Sequence, residues 1–191
     1  MNLPANKSIL GGTGAIAAVL GAILLLFTPS DKSLEYLVIH CSATKPGISI
    51  TADQIVAYHL RPVAKGGRGW TKPGYSDIIE LDGRVVNTRR YNDDGIVQPD
   101  EITWGVKSIN DRARHVCYVG GLDQTGKRPF DTRTPAQLQA LEKYVKDFLD
   151  KHPDARVAGH YHFDNKGCPS FNVELWLASI GINPKNIYKR G

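Results

Sequence analysis

The chain has 191 residues, enough for one compact domain with an additional segment and too few for two full domains. With 41% hydrophobic and 23% charged residues the composition is that of a globular protein, which excludes a largely disordered chain. The net charge of +5 suits an anionic polymer, anionic lipid or nucleic acid, but no run of five Lys or Arg residues occurs, and this argues against nucleic acid.

The first predicted element is an apolar segment at the amino terminus. Residues 9–27 contain no charged side chain, and a helix of that length, at about 1.5 Å per residue, nearly spans a bilayer core of about 30 Å. We therefore expect one transmembrane or signal helix within residues 1–30. The stretch is longer than the hydrophobic region of most signal peptides and no A-x-A-like site follows Phe27, which favours an uncleaved anchor over a cleaved signal peptide.

Predicted strands and helices alternate in the part of the chain that follows. Residues 34–41 are apolar and β-branched, which indicates a buried strand. A capping box beginning at Thr51 opens a helix that continues to about Leu60. The dipeptide Asp82-Gly83 separates two apolar runs and predicts a β-hairpin.

The second half continues this alternation. Residues 114–119 and 156–159 are predicted strands, and Thr134 begins a second capping box that opens a longer amphipathic helix. A last helix is expected over residues 172–180. The pattern predicts a single α/β domain over residues 31–191, with a mixed central β-sheet flanked by helices.

Three residues have the chemistry of a catalytic metal site. His40 ends the first strand of this domain, His160 follows the last one, and Cys168 comes eight residues later. Imidazole and thiolate are good ligands for Zn²⁺, and three protein ligands leave the fourth tetrahedral place for water. A histidine at a strand end is also commonly an ordinary surface or core residue, so this pattern alone leaves both interpretations open. Cys41 and Cys117 lie in apolar strands and are interpreted as small buried hydrophobic residues.

The region from about Tyr36 to Trp176 resembles the type-2 N-acetylmuramoyl-L-alanine amidases, a family that includes phage amidases often called lysozymes and the animal peptidoglycan-recognition proteins. Six matching segments occur in the family's order: VIHCSAT (38–44), GRGWTKPGY (67–75), LDGRV (81–85), CYVGGLD (117–123), TPAQLQAL (134–141) and GHYHFDNKGCPSF (159–171). The resemblance implies a zinc-dependent hydrolase that cuts the amide bond between N-acetylmuramic acid and L-alanine in peptidoglycan, for lysis or remodelling of the cell wall.

The resemblance also implies the roles of particular residues. By position, the zinc ligands are His40, His160 and Cys168, the catalytic tyrosine is Tyr75, and the basic residue two positions before the cysteine ligand is Lys166. Tyr75 would donate a hydrogen bond to the oxyanion or orient the water, and Lys166 would stabilise negative charge on the tetrahedral intermediate.

The chain departs from the family pattern in two places. Many relatives have Gly-Tyr-His before the hairpin, where this chain has Ser76 after Tyr75. Many relatives also carry a histidine-containing loop and a small glycine-bearing motif before the next strand, and neither is recognisable in residues 104–117. These departures remove possible groups around the metal or the substrate and leave the stem-peptide preference open. His115 itself carries no functional signal in the sequence.

Two alternatives to the enzyme remain at this stage. A non-catalytic peptidoglycan-binding module would keep the fold, but Cys168 argues against it because binding-only relatives lose this ligand. A regulatory protein that binds a polymerase, as some phage relatives do, fits poorly with a membrane anchor. The enzyme is expected to be a monomer that takes peptidoglycan or muropeptides as substrate and no nucleic acid. A single N-terminal span would hold the domain facing the cell wall or periplasm, and cleavage of that span would make the protein secreted.

Overall fold

The computed structural model describes residues 32–190, so the predicted transmembrane or signal helix lies outside the described residues. Among residues 32–190, no helix combines the length and the apolar character needed to cross a membrane. The described part of the chain contains three α-helices, α1 (Ala52–Leu60), α2 (Pro135–Lys151) and α3 (Val173–Ser179). The strands are β1 (Lys32–Ser33), β2 (Tyr36–Cys41), β3 (Asp77–Ile79), β4 (Val85–Asn87), β5 (Ile96–Val97), β6 (Ala113–Tyr118) and β7 (Arg156–Gly159).

The central sheet has five strands in the order β4-β3-β6-β2-β7. Strands β3, β6, β2 and β7 run parallel, and β4 is an antiparallel edge strand joined to β3 by the predicted hairpin. This confirms the expected α/β domain with a mixed sheet. The parallel strands have their carboxyl ends on one side of the molecule, which is the side where open α/β sheets bind ligands.

Each face of the sheet is covered by different elements. Side chains alternate along β2, so Leu37 and Ile39 face α2 and α3 in the larger core, whereas Val38 faces the opposite side. That opposite side is covered by α1, which packs through Ile55, and by the segment of residues 104–112. His40 shares the face of Val38, so its side chain lies between the sheet and these two covering segments.

Two predicted capping boxes are present and begin α1 and α2. At α2, the Thr134 hydroxyl accepts a hydrogen bond from the backbone N–H of Gln137 and donates one to the carbonyl oxygen of Leu81, in the turn after β3. The Gln137 side chain is fully buried and donates to the carbonyl oxygens of Ile79 and Val119. The cap of α2 therefore also fixes the helix against the sheet.

A small two-stranded sheet of β1 and β5 was not predicted from the sequence. Each of its strands has two residues, which is too short for an alternation of apolar and polar residues to be recognisable. The ladder of the predicted hairpin consists of Asp77–Ile79 and Val85–Asn87.

Candidate metal centre

The three predicted ligands meet at the carboxyl ends of two neighbouring strands. His40 is the next-to-last residue of β2, and His160 follows β7 directly. The two strands pair in parallel with Ile39 opposite Gly159, which places the two histidines side by side. Cys168 returns to the same point from the loop after β7. His40 and His160 are buried, and Cys168 is half-buried.

Two of the three distances between the ligand atoms lie within about 0.3 Å of those in a tetrahedral Zn²⁺ site. The His40 Nδ1 and His160 Nδ1 atoms are 3.0 Å apart, the Cys168 Sγ atom is 3.8 Å from His40 Nδ1, and all three lie within 4.8 Å of one another. With zinc–nitrogen bonds of about 2.0–2.1 Å and a zinc–sulfur bond of about 2.3 Å, a tetrahedron separates two nitrogens by roughly 3.3 Å and a nitrogen from sulfur by roughly 3.6 Å. Two imidazoles and one thiol are also a common donor set for zinc.

Hydrogen bonds from three directions hold the loop that carries Cys168. The hydroxyl of Tyr118 donates to the Pro169 carbonyl oxygen, and the backbone N–H of Tyr161 donates to the Cys168 carbonyl oxygen. The Ser170 hydroxyl donates to the carbonyl oxygen of Gly121. The sulfur itself accepts a hydrogen bond of 3.2 Å from the backbone N–H of Cys41, which favours the thiolate form.

In each predicted histidine ligand, the ring nitrogen that faces away from the other ligands, here called the outer nitrogen, contacts a further side chain. His160 Nε2 is 2.9 Å from Asp164 Oδ2, and His40 Nε2 is 3.0 Å from His115 Nδ1. Sequence reasoning missed both partners. The spacing of four residues between His160 and Asp164 is a signal that could have found the carboxylate, whereas nothing in the strand sequence around His115 indicated a contact with His40.

The protonation states suit metal binding by the two histidines. Burial is the main cause that lowers the pKa of His40 well below its ordinary value, and the neighbouring His115 and His160 lower it further. Burial also lowers the pKa of His160. Both rings are therefore neutral near pH 7, with a lone pair for a metal. The thiol of Cys41 and burial raise the pKa of Cys168, an effect that a bound divalent cation reverses.

Tyr75 lies beside the predicted ligands, just before β3. Its ring centroid is 5.0 Å from that of His40 and 5.3 Å from that of His59. Burial raises the pKa of Tyr75 well above its ordinary value. The phenol therefore keeps its proton at neutral and mildly alkaline pH and is available as a hydrogen-bond donor.

Lys166 is the exposed cation of the site, with 57% of its side chain accessible. Its Nζ atom is 3.4 Å from Asp164 Oδ2, the same carboxylate oxygen that contacts His160. Asp164 therefore connects a predicted metal ligand to the predicted oxyanion-stabilising residue. The hydrogen bond to His160 and the charge of Lys166 lower the pKa of Asp164, so this carboxylate is ionised near pH 7.

An open cavity of about 800 Å³ lies above the candidate metal centre. Its aromatic wall consists of Tyr58, Trp70 and Trp104, and the Arg68 guanidinium lies 5.7 Å from the ring centroids of both Tyr58 and Trp70. Four cations also line the cavity: Arg61, Arg68, Lys107 and Lys166. Asp164 is the only carboxylate that lines it within residues 32–190. The cavity is thus suited to an elongated ligand with negative charge.

Two other histidines near the candidate site have structural contacts. His162 points away from the centre, with its Nε2 atom 2.9 Å from Glu174 Oε1. His59 is buried, accepts a hydrogen bond from the backbone N–H of Gly74, and stacks on Trp70 with ring centroids 4.7 Å apart. Trp70 therefore packs on His59 and also borders the cavity.

The amino-acid sequence is similar to that of a known protein family and of individual relatives. The family model described as N-acetylmuramoyl-L-alanine amidase matches residues 30–171. An endolysin of Escherichia phage T7 is 34% identical over 148 residues, which cover 76% of this chain and 86% of that protein. Peptidoglycan-recognition protein SC2 of Drosophila melanogaster is 26% identical over 148 residues, covering 73% of this chain and 70% of that protein.

The fold is also similar to that of solved structures. The N-acetylmuramoyl-L-alanine amidase LysC from Clostridium intestinale URNW superposes with a TM-score of 0.57 over 79% of this chain and 87% of that chain. At 19% identity this likeness concerns the fold alone.

Proposed function

Because the chain belongs to the type-2 N-acetylmuramoyl-L-alanine amidase family, we propose that it hydrolyses the amide bond between N-acetylmuramic acid and L-alanine in peptidoglycan, with Zn²⁺ held by His40, His160 and Cys168. The observation that carries this proposal is the convergence of three zinc-type ligand atoms within 4.8 Å beneath an open cavity. A module that only binds peptidoglycan has no need for such a convergent set.

Zinc, when bound, supplies a water molecule whose pKa is lowered to about 7 and polarises the amide carbonyl. The remaining chemistry belongs to the side chains of this protein. Tyr75 is protonated and donates a hydrogen bond to the substrate oxygen or to the water. The Lys166 ammonium group offsets the negative charge that develops on the carbonyl oxygen. Asp164 limits the positions that Lys166 can adopt.

The cavity supports a peptidoglycan strand as the substrate. The stem peptide carries carboxylates, which the cations Arg61, Arg68 and Lys107 attract. Sugar rings have apolar faces that pack on aromatic side chains, and Trp70 and Trp104 line the same cavity. Since the cavity is open to solvent, a polymer can enter it without being threaded through a closed tunnel.

The decisive experiment measures the amino-terminal L-alanine released from purified peptidoglycan by the full-length protein, with and without a zinc chelator. We expect release that stops on chelation and returns when zinc is added. A His160→Ala variant should release none, whereas the matched control His152→Ala, which removes a buried histidine outside the cavity, should remain active.

Two results would contradict the proposal. Release that persists after complete removal of the metal would exclude a zinc mechanism. Absence of release by a folded protein that contains one zinc per chain and binds muropeptides would instead establish the non-catalytic binding module, the alternative kept from the sequence.

We further propose that the protein acts as a membrane-tethered endolysin, with the amidase domain facing the cell wall or periplasm. This rests on the uncharged stretch at residues 9–27, which is long enough to span a bilayer core. Cell fractionation combined with mass spectrometry of the amino terminus tests it. Recovery of the intact chain with the membranes supports the anchor, whereas a chain cleaved near residue 30 in the medium or periplasm would contradict the anchor and indicate secretion.

A further inference from the structure

His115 contacts a predicted zinc ligand from inside the sheet. It lies in β6, which pairs with β2 in a register that puts His115 opposite Val38, one side-chain pair below His40 on the same face. The two imidazole centroids are 5.1 Å apart, and His115 Nδ1 is 3.0 Å from His40 Nε2. His115 has no solvent exposure. Burial of a polar ring costs free energy of folding unless the ring is hydrogen-bonded.

The covering segment makes room for this ring. Gly105 lies against the His115 imidazole, and a Cβ atom at position 105 would overlap three atoms of the ring. The backbone of Gly105 is not in the left-handed region, so its conformation does not require glycine. Glycine is needed at position 105 because the His115 ring occupies the space that a side chain would fill.

The contact couples the position of the proton on His40 to that on His115. A neutral imidazole has one donor and one acceptor nitrogen. To bind a metal through Nδ1, His40 must carry its proton on Nε2, where it donates to His115 Nδ1. In the opposite tautomer the proton occupies His40 Nδ1 and blocks the metal. In the metal-binding tautomer of His40, His115 accepts at Nδ1 and carries its own proton on Nε2, an atom without a hydrogen-bond partner in residues 32–190.

We propose that His115 is a positioning residue of the metal centre: as a hydrogen-bond acceptor for His40 Nε2, it holds the ring orientation and the tautomer in which His40 binds zinc. The inference rests on the proposed function, because it assumes that zinc is the resident metal. It gives His40 an outer partner corresponding to Asp164 at His160. The partner here is a neutral ring contributed by the central sheet, so the contact cannot be replaced by water from the cavity.

The test compares three substitutions in the full-length protein kept in a mild detergent. His115→Leu keeps a similar volume and removes the acceptor. His115→Asn places an amide oxygen where Nδ1 was, whereas His115→Gln places its polar atoms near the position of Nε2. The zinc dissociation constant is measured by competition with a chelator. The absorption of bound cobalt(II) reports the ligand geometry. Val116→Ala is the matched control, since it truncates the next side chain of β6 on the opposite face.

We expect the Leu and Gln variants to bind zinc about 10–100-fold more weakly, with an altered cobalt spectrum. The Asn variant should retain the affinity and spectrum of the unaltered protein. Val116→Ala should lower thermal stability without changing zinc affinity. If the Leu variant does not fold, as judged by circular dichroism, the comparison of Asn with Gln decides the question.

Equal zinc affinity in the folded Leu variant and the unaltered protein would overturn the inference. Equal losses in the Asn and Gln variants would also overturn it, because the shape of the ring and not its acceptor would then matter. If the unaltered protein binds no zinc, the proposed function fails and the inference fails with it. If it binds zinc tightly and the variants do too, only the inference fails.

Discussion

At the scale of single residues, the candidate site has different side chains for holding a metal and for stabilising charge on the substrate. The inner nitrogens of His40 and His160 face each other, and their outer nitrogens are occupied by His115 and Asp164. Tyr75 contributes a proton donor and a neighbouring ring. The roles belong to different side chains, except that Asp164 contacts both His160 and Lys166.

Tyr75→Phe removes one hydroxyl and keeps the packing against His40. If Tyr75 stabilises the oxyanion, kcat should fall by about 10²–10³-fold, the range for the loss of one oxyanion donor, with little change in KM or zinc content. Steady-state kinetics on a soluble muropeptide measure this effect. Tyr58→Phe is the control, since Tyr58 also lines the cavity but is not close to His40. Unchanged kcat in the Tyr75 variant would remove the tyrosine from the mechanism.

Asp164→Ala should affect both the metal and the exposed cation. Without the carboxylate, the ring of His160 loses its outer partner, and we expect zinc affinity to fall by about 10–100-fold. Lys166 also loses its ion-pair partner and is no longer held in position. We therefore expect kcat to remain reduced even when excess zinc saturates the site. Chelator competition and kinetics at saturating zinc separate the two effects. Asp147→Ala, which removes a surface carboxylate on α2, serves as the control. Full activity at saturating zinc would show that Asp164 acts on the metal alone.

At the scale of elements, short polar contacts place the helices on the sheet. The cap of α1 is exposed and satisfies only its own helix, apart from a hydrogen bond of 2.8 Å that the Ala52 N–H donates to Glu80. The cap of α2 reaches two strands through Thr134 and Gln137. The two capping boxes are alike in sequence and differ in what they stabilise, because only the second is packed against strand ends.

Thr134→Ala is therefore expected to be more damaging than Thr51→Ala. Loss of an N-cap hydroxyl costs about 1 kcal/mol of unfolding free energy, and this is the expected cost at Thr51. At Thr134 the carbonyl oxygen of Leu81 also loses its donor, which adds about 1 kcal/mol. Urea unfolding of the two variants under identical conditions measures the difference. Equal destabilisation would show that the contact with Leu81 contributes nothing to stability.

At the scale of the whole molecule, the topology explains why the site is where it is. Four parallel strands end on one side, and the candidate ligands lie at or after the ends of two that are adjacent, β2 and β7. The helix α1 and the segment of residues 104–112 cover the same face of the sheet and leave the cavity between them and the loop of Cys168. A cationic cavity open to solvent at this position suits a long anionic polymer.

The fold should lose stability in mild acid, in part because of His59. Burial lowers the pKa of His59 to about 4 from its ordinary value of 6.5. The unfolded chain therefore takes up a proton at a higher pH than the folded chain, and stability falls as the pH decreases from about 6.5 towards 4. Between pH 7 and pH 5 this corresponds to about 2 kcal/mol.

His59→Asn tests this expectation. The amide oxygen can still accept the hydrogen bond from Gly74, but the side chain no longer titrates. Urea unfolding at pH 7 and pH 5, with zinc present throughout, should show a smaller loss of stability in the variant than in the unaltered protein. Equal losses in both proteins would mean that His59 is not among the groups responsible for acid sensitivity.

The sequence by itself determined the local structure and the family. Capping boxes at Thr51 and Thr134 and the hairpin at Asp82-Gly83 depend on residues two to four positions apart, so their patterns can be read along the chain. Six segments in order identified the amidase family, which the family model and the endolysin relatives confirm. The roles assigned to Tyr75 and Lys166 came from the resemblance and stay predictions.

Only the tertiary structure decided which side chains surround the predicted ligands. His115 meets His40 across 75 positions of the chain, and the contact depends on the order and register of β2 and β6. Gly105 makes room for that ring from a segment with no regular structure. Local patterns reflect hydrogen bonds between near neighbours in sequence, whereas the orientation of a ligand depends on packing between strands that are adjacent only after folding. The outer partner of His40 was therefore invisible in the sequence.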